Sequence, residues 1–191
     1  DIRYFVLTRI AFGRQVSGIL TPNPSTVLRL IGVGERHPER LIEAVHNGTL
    51  GLEPAERDVL SESQQALLDQ IEDALVPSPT RAGFLAQVVR KYGYLCPRGI
   101  WPELALIGCW LGGSAGIQAR DMRAHFHPEL PVRDMGFRAT EATVSIPLED
   151  ETAAGVLTLE TNYYEFIPED AIEQDPPPTL LAHQLETGGR Y

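Results

Sequence analysis

Leu104-Ala-Leu-Ile-Gly-Cys-Trp-Leu111, Gly112-Gly-Ser-Ala-Gly116 and Val132-Arg-Asp-Met-Gly-Phe137 follow one another closely, and their reading decides the fold. The first is a nearly continuous apolar run, the pattern of a strand buried on both faces in a parallel sheet. The second is a turn of small residues. Behind it, Ile117 to Phe126 carries apolar or methyl-bearing side chains at Ile117, Ala119, Met122, Ala124 and Phe126 and predicts a helix with Ser114 as its N-cap. The third predicts a strand over 132–137 that runs into Arg138-Ala-Thr-Glu141. Strand, turn, helix and strand make a βαβ unit. Open α/β sheets bind ligands beyond the carboxyl ends of their strands, and the turns at 112–116 and 138–141 both leave such ends. A Gly112-Gly113-Ser114 turn lets a flat ligand approach the backbone with no Cβ in the way. Phe137 can stack on such a ligand, and Glu141 can hold a cation. Spacing alone equally allows the glycines to serve only a tight turn and Glu141 to be solvated.

The 191 residues suffice for one domain with a substantial core. A hydrophobic content of 43% with 22% charged residues is that of an ordinary globular chain. The net charge of −10 argues against a nucleic-acid partner, which needs a concentrated basic surface. A nucleotide needs only a local site. No apolar run reaches the ~20 residues that span a bilayer, and the first residues show no signal-peptide pattern. Two cysteines, Cys96 before a proline and Cys109 within the apolar run, fit a reducing cytoplasm, which is the expected location. A disulfide between them stays open.

In chain order, Ile2 to Phe12 predicts a helix with Tyr4, Phe5, Leu7, Ile10 and Ala11 on its apolar face. Val16 to Thr21 predicts a strand. Asn23-Pro24 opens a helix with Val27, Leu28, Leu30 and Ile31 inward, and Pro38 to Val45 gives another, ended by Asn47-Gly48. The acidic 51–62 stretch reads as a connection. Helices follow over 63–75 and 80–92, then a loop over 93–102. After Glu141 the pattern changes to short extended runs at 143–148, 155–159 and 163–167, expected as antiparallel strands. Alternation in the last puts Tyr164 and Phe166 on the core face and directs Tyr163 and Glu165 toward solvent or the cleft beyond Phe137. The expected architecture is α/β: a sheet-and-helix core of parallel strands 16–21, 104–111 and 132–137 in three layers, with antiparallel strands toward the C-terminus.

Phe137-Arg138-Ala139-Thr140-Glu141, Ser145-Ile-Pro-Leu148 and Asn162-Tyr-Tyr-Glu-Phe-Ile-Pro168 carry a resemblance to the auxin-responsive acyl-acid amido synthetases, the plant Gretchen Hagen family and its bacterial relatives. These belong to the adenylate-forming, firefly luciferase-like superfamily. The Asn162–Pro168 string is the most specific of the three. Arg138 stands where the plant members carry Gly. The resemblance implies ATP and Mg2+ as cofactors, with Gly113, Ser114, Phe137, Thr140 and Tyr163 at the nucleotide and Glu141 as catalytic residue and metal ligand. It implies a small carboxylic acid and an amino acid or other amine as partners.

The resemblance covers nearly the whole chain, whereas the chain covers only part of the family pattern. No upstream loop like Ser-Ser-Gly-Thr-Thr-Gly is present, the downstream Tyr-Arg-x-Gly-Asp motif is not reached, and the C-terminal domain is absent. Residues 1–191 are therefore expected to be an internal part of a large N-terminal adenylation domain, inactive in isolation. Three other readings compete. One is a non-catalytic nucleotide-binding or interaction module on the same fold. Another is a dinucleotide-binding domain, but 112–116 does not match Gly-x-Gly-x-x-Gly. The last is metal-dependent hydrolysis through His125 and His127, which lack an evident third ligand.

Overall fold

The computed structural model describes residues 2–191. It divides into two compact units, Asp1–Met135 with Asp150–Ala153 and Gly136–Glu149 with Ala154–Tyr191.

The first unit begins with α1 (Ile2–Phe12). Its inward face differs from the expected one. Leu7 is 43% exposed, while Thr8 and Arg9 are buried. Arg9 turns inward because its guanidinium meets the end of α3 (Pro38–Asn47): Nε donates to the Thr49 carbonyl at 2.7 Å and Nη2 to the Ala44 carbonyl at 3.1 Å. Two carbonyl acceptors at the negative end of the α3 dipole satisfy a buried guanidinium. Burial lowers the Arg9 pKa from its ordinary value. Between α1 and α3 lie β1 (Gly18–Leu20) and α2 (Pro24–Arg36), the latter starting at Asn23-Pro24 as its sequence predicts.

Two short helices lie where connections were expected. α4 (Pro54–Asp58) occupies the acidic stretch, and α7 (Pro97–Ile100) occupies the loop before β2. Both begin with proline, whose fixed φ suits a first helical position. α5 (Glu62–Asp73) starts on a capping box in which Ser61 and Gln64 bond each other's backbone amides. α6 (Pro79–Tyr92) follows.

The parallel sheet is β1, β2 (Leu106–Gly108) and β3 (Val132–Arg133) in that order, with Ile19, Ile107 and Val132 in register. α8 (Gly113–Arg123) makes the crossover from β2 to β3. Phe12, Leu41, Leu85, Leu95, Ile100, Ile107 and Met122 form the fully enclosed centre of the core. Several boundaries are corrected. The ladders of β1, β2 and β3 span three, three and two residues rather than 16–21, 104–111 and 132–137, and α8 starts at Gly113 with Gly112, not the expected Ser114, as N-cap. Gly113 takes a left-handed φ of 55°, which lets the chain turn into the helix directly after the strand end.

The second unit contains β4 (Ser145–Ile146) paired antiparallel with β5 (Val156–Leu157). The expected third strand over 163–167 forms no ladder, and one bridge joins Phe166 to Leu180. Its alternation survives nonetheless: Tyr164 and Phe166 are half-buried and stack on each other, while Tyr163 and Glu165 face solvent. Short 3-10 turns at Glu169–Ala171 and Ala182–Gln184 complete this unit.

Candidate functional site

Within the first unit the carboxyl ends of all three parallel strands are tied together by backbone bonds. Thr21 N–H donates to the Gly108 carbonyl at 2.9 Å, Cys109 N–H to Arg133 at 3.0 Å and Trp110 N–H to Pro22 at 3.0 Å. The buried Asp134, just beyond β3, accepts the Leu111 N–H on Oδ2 at 2.6 Å. Asp134 thereby holds the loop between β2 and α8 from the side. The exposed Gly112, Gly113 and Ser114 follow, and no side chain caps the first turn of α8. A helix start with unclaimed amides beyond parallel strand ends attracts a polar or anionic ligand group. Gly113 and Ser114 are thus brought together at a strand-end position.

Within the second unit, Phe137 to Ser145 form a tight hairpin. Phe137 N–H donates to Ser145 Oγ at 3.0 Å, and its carbonyl accepts Val144 N–H at 2.8 Å and Ser145 N–H at 3.2 Å. Arg138 bridges Thr143, and Ala139 N–H reaches the Ala142 carbonyl at 2.9 Å. Thr140 and Glu141 are the two residues at the tip, both exposed. Gly136 enters the hairpin at φ 80°, and a Cβ there would collide with the Ser145 carbonyl oxygen. Phe137 is 70% exposed although aromatic. Phe137, Thr140 and Glu141 therefore share one hairpin, while Tyr163, 78% exposed, lies outside it on the segment after β5.

The neighbours of Tyr163 anchor that hairpin. Thr158 Oγ1 donates to the Thr143 carbonyl at 2.5 Å, and Asn162 Nδ2 donates to the same carbonyl at 3.1 Å. Tyr164 Oη lies 3.0 Å from both Thr158 Oγ1 and Asn162 Nδ2. Sequence reasoning gave no site role to Asp134 or Thr158, and it noted Asn162 and Tyr164 only within the Asn162–Pro168 string, with Tyr164 on the core face. An aspartate inside a predicted buried strand was a signal for the first, because a buried carboxylate needs a donor. Nothing local marked Thr158.

Glu141 suits Mg2+ in one respect: a lone carboxylate on an exposed turn fits an ion that keeps several waters and takes one or two carboxylates with substrate phosphates. Among the described residues no three His, Cys, Asp or Glu side chains gather as a self-sufficient metal site. His125 instead pairs through Nδ1 with Tyr94 Oη at 3.1 Å. No helix among the described residues is long and apolar enough to cross a membrane. In the first unit a cavity of about 200 Å3 is walled almost wholly by apolar atoms of Phe12, Val16, Ile19, Val27, Ile31 and Trp101.

Comparison with known proteins returned no match among curated sequences. Among solved structures, AtGH3.15 acyl acid amido synthetase in complex with 2,4-DB superposes with a TM-score of 0.73 at 15% identity, over 98% of this chain and 32% of its own. A second structure, GH3.15 acyl acid amido synthetase, gives 0.70 at 14% identity, over 98% of this chain and 33% of its own. The likeness is one of fold, and this chain spans about a third of the length of those proteins. The sequence pattern that matches is the GH3 family N-terminal domain, over residues 4–132, and the chain belongs to the GH3 family.

Proposed function

We propose that this chain is part of the large N-terminal adenylation domain of an ATP-dependent acyl-acid amido synthetase. The observation that carries the reading is the exposed hairpin displaying Phe137, Thr140 and Glu141, in a chain of GH3 membership whose fold resembles acyl acid amido synthetases. In this reading the acid's carboxylate attacks the α-phosphorus of ATP and pyrophosphate leaves, giving an acyl-adenylate. An amine, usually an amino acid, then attacks its acyl carbon, forming the amide and releasing AMP and a proton. Gly113 and Ser114 offer backbone to the nucleotide, Phe137 and Tyr163 offer aromatic faces, and Thr140 offers a hydroxyl. Glu141 holds the magnesium that comes with ATP. That ion supplies charge neutralisation at the phosphates. The apolar cavity beside Trp101 suits the hydrocarbon end of an acid.

The triphosphate loop and the C-terminal domain belong, on this proposal, to the remainder of a longer protein, and the 191 residues alone do not turn over. Positioning and charge stabilisation from a phosphate clamp supply much of the rate in such reactions. The test is pyrophosphate exchange by the intact protein with a panel of small carboxylic acids, followed by mass spectrometry of amides formed with added amino acids. Acid-dependent exchange and an amide product are expected. ATP binding without exchange for any acid would favour a non-catalytic nucleotide-binding module instead.

A further inference from the structure

We propose that Thr158, Asn162 and Tyr164 are positioning residues that fix Glu141 through the outgoing limb of its hairpin. The inference rests on the metal-holding role of Glu141 given above and goes beyond it to how that carboxylate is aimed. At the tip, Phe137 to Glu141 are all exposed, and the described backbone bond nearest Glu141 joins Ala139 to Ala142 at 2.9 Å. The tip itself is therefore lightly held. Its orientation depends on the limbs below. The incoming limb is fixed by the bonds between Phe137 and Ser145. The outgoing limb is fixed at Thr143, two residues from Glu141, whose carbonyl accepts from both Thr158 Oγ1 and Asn162 Nδ2. Val144's carbonyl lies 3.3 Å from Thr158 Oγ1, whose one hydrogen goes to the nearer Thr143 carbonyl, and accepts from Tyr164 Oη at 3.5 Å. Three side chains from one short stretch thus converge on two consecutive carbonyls. They also bond one another: Asn162 Nδ2 lies 3.4 Å from Thr158 Oγ1, and Tyr164 Oη contacts both. A half-buried network of this kind holds one geometry because each member fixes the next. Groups that orient a metal-holding carboxylate typically change metal affinity 10- to 100-fold when removed, by general experience with outer-shell partners.

The experiment uses the intact protein with paired substitutions. Thr158→Val removes the hydroxyl at nearly constant shape, and Thr158→Ser keeps it. Tyr164→Phe removes one oxygen while leaving the ring to stack on Phe166. Three quantities are read: hydrogen exchange at the Ala139 amide without nucleotide, the Mg2+ concentration giving half-maximal pyrophosphate exchange, and Tm. Thr158→Val and Tyr164→Phe should speed Ala139 exchange and raise the half-saturating Mg2+ by about 10-fold, with the rate at saturating Mg2+ nearly kept. Thr158→Ser should behave as the parent. Unchanged Mg2+ dependence in Thr158→Val would overturn the proposal, as would unchanged Ala139 exchange. If Thr158→Val fails to fold, Tyr164→Phe decides by the same two readouts. Glu141→Gln separates the two levels. Normal Mg2+ dependence in that variant refutes the Glu141 role and the positioning proposal with it. Lost exchange in Glu141→Gln beside a normal Thr158→Val refutes positioning alone.

Discussion

Gly116→Ala and Gly83→Ala exchange a helical glycine for the best helix former, yet they should move stability in opposite directions. Helix propensity alone favours alanine by about 1 kcal/mol at either site. In α6 a Cβ on Gly83 would meet nothing within 4 Å, so that gain should stand, at roughly 0.5–1 kcal/mol. In α8 a Cβ on Gly116 would collide with the Leu111 carbonyl oxygen. That oxygen is backbone and cannot rotate away, and Leu111 is held by its amide's bond to the buried Asp134 at 2.6 Å. Overpacking of this sort costs about 1–3 kcal/mol, and a pinned backbone places it at the upper end. Subtracting the propensity gain leaves a net loss of about 2 kcal/mol at Gly116. The two variants should then differ by nearly 3 kcal/mol, which for a chain of this size is about 6–12 °C in Tm. Urea and thermal unfolding followed by circular dichroism read the difference directly. A Gly116→Ala protein as stable as the parent or more stable would show that the loop between β2 and α8 is not pinned as described, and the argument that Asp134 holds the strand-end site would fail.

Tyr163→Ala should raise the apparent KM for ATP or acid in the intact protein with little change in Tm, because the ring is 78% exposed; easy unfolding with normal kinetics in the folded fraction would assign Tyr163 to packing instead. Cys96 and Cys109 are both free and fully buried, so a thiol reagent at pH 8 should label neither until the chain unfolds. Burial pushes the Cys109 thiol up from 9.0 to about 11; since the raised value belongs to the folded state, its contribution to stability is full below pH 9 and is lost as pH rises through 11, a loss that Cys109→Ala should lessen in alkaline unfolding curves. Glu56 is held below its ordinary 4.5 chiefly by its hydrogen bond with Arg40, so its contribution is present above that pH and lost as pH falls through the depressed value. Glu56→Gln should flatten the acid limb of a stability–pH curve, and an unchanged limb would deny the pairing.

The parallel core was legible because a strand buried on both faces writes itself as an unbroken apolar run, as Leu104 to Leu111 does. The ladder's end was not, since Cys109 and Trp110 leave it while still bonding Arg133 and Pro22 across the sheet. Helices of four or five residues, as at Pro54 and Pro97, are too short to show periodicity, and only their opening proline marks them. The start of α8 was misplaced because Ser114 is a good capping residue by type, whereas the left-handed Gly113 sets the turn. In the candidate site, Phe137 to Glu141 could be recognised as a string. That they fold back as a hairpin depends on Ser145, and the hairpin's anchoring depends on Thr158, Asn162 and Tyr164, up to 20 residues away from the carbonyls they hold. Alternation correctly sent Tyr163 outward and Tyr164 inward, but the half-buried phenol oxygen needed partners that only the fold supplies.

The most direct test of the central claim is acid-dependent ATP–pyrophosphate exchange by the intact protein and by its Glu141→Ala variant. Glu141 sits exposed at a hairpin tip, so the variant should fold with a Tm close to the parent's. The account predicts exchange in the parent and its loss in the variant. Normal exchange in a well-folded Glu141→Ala protein would contradict it.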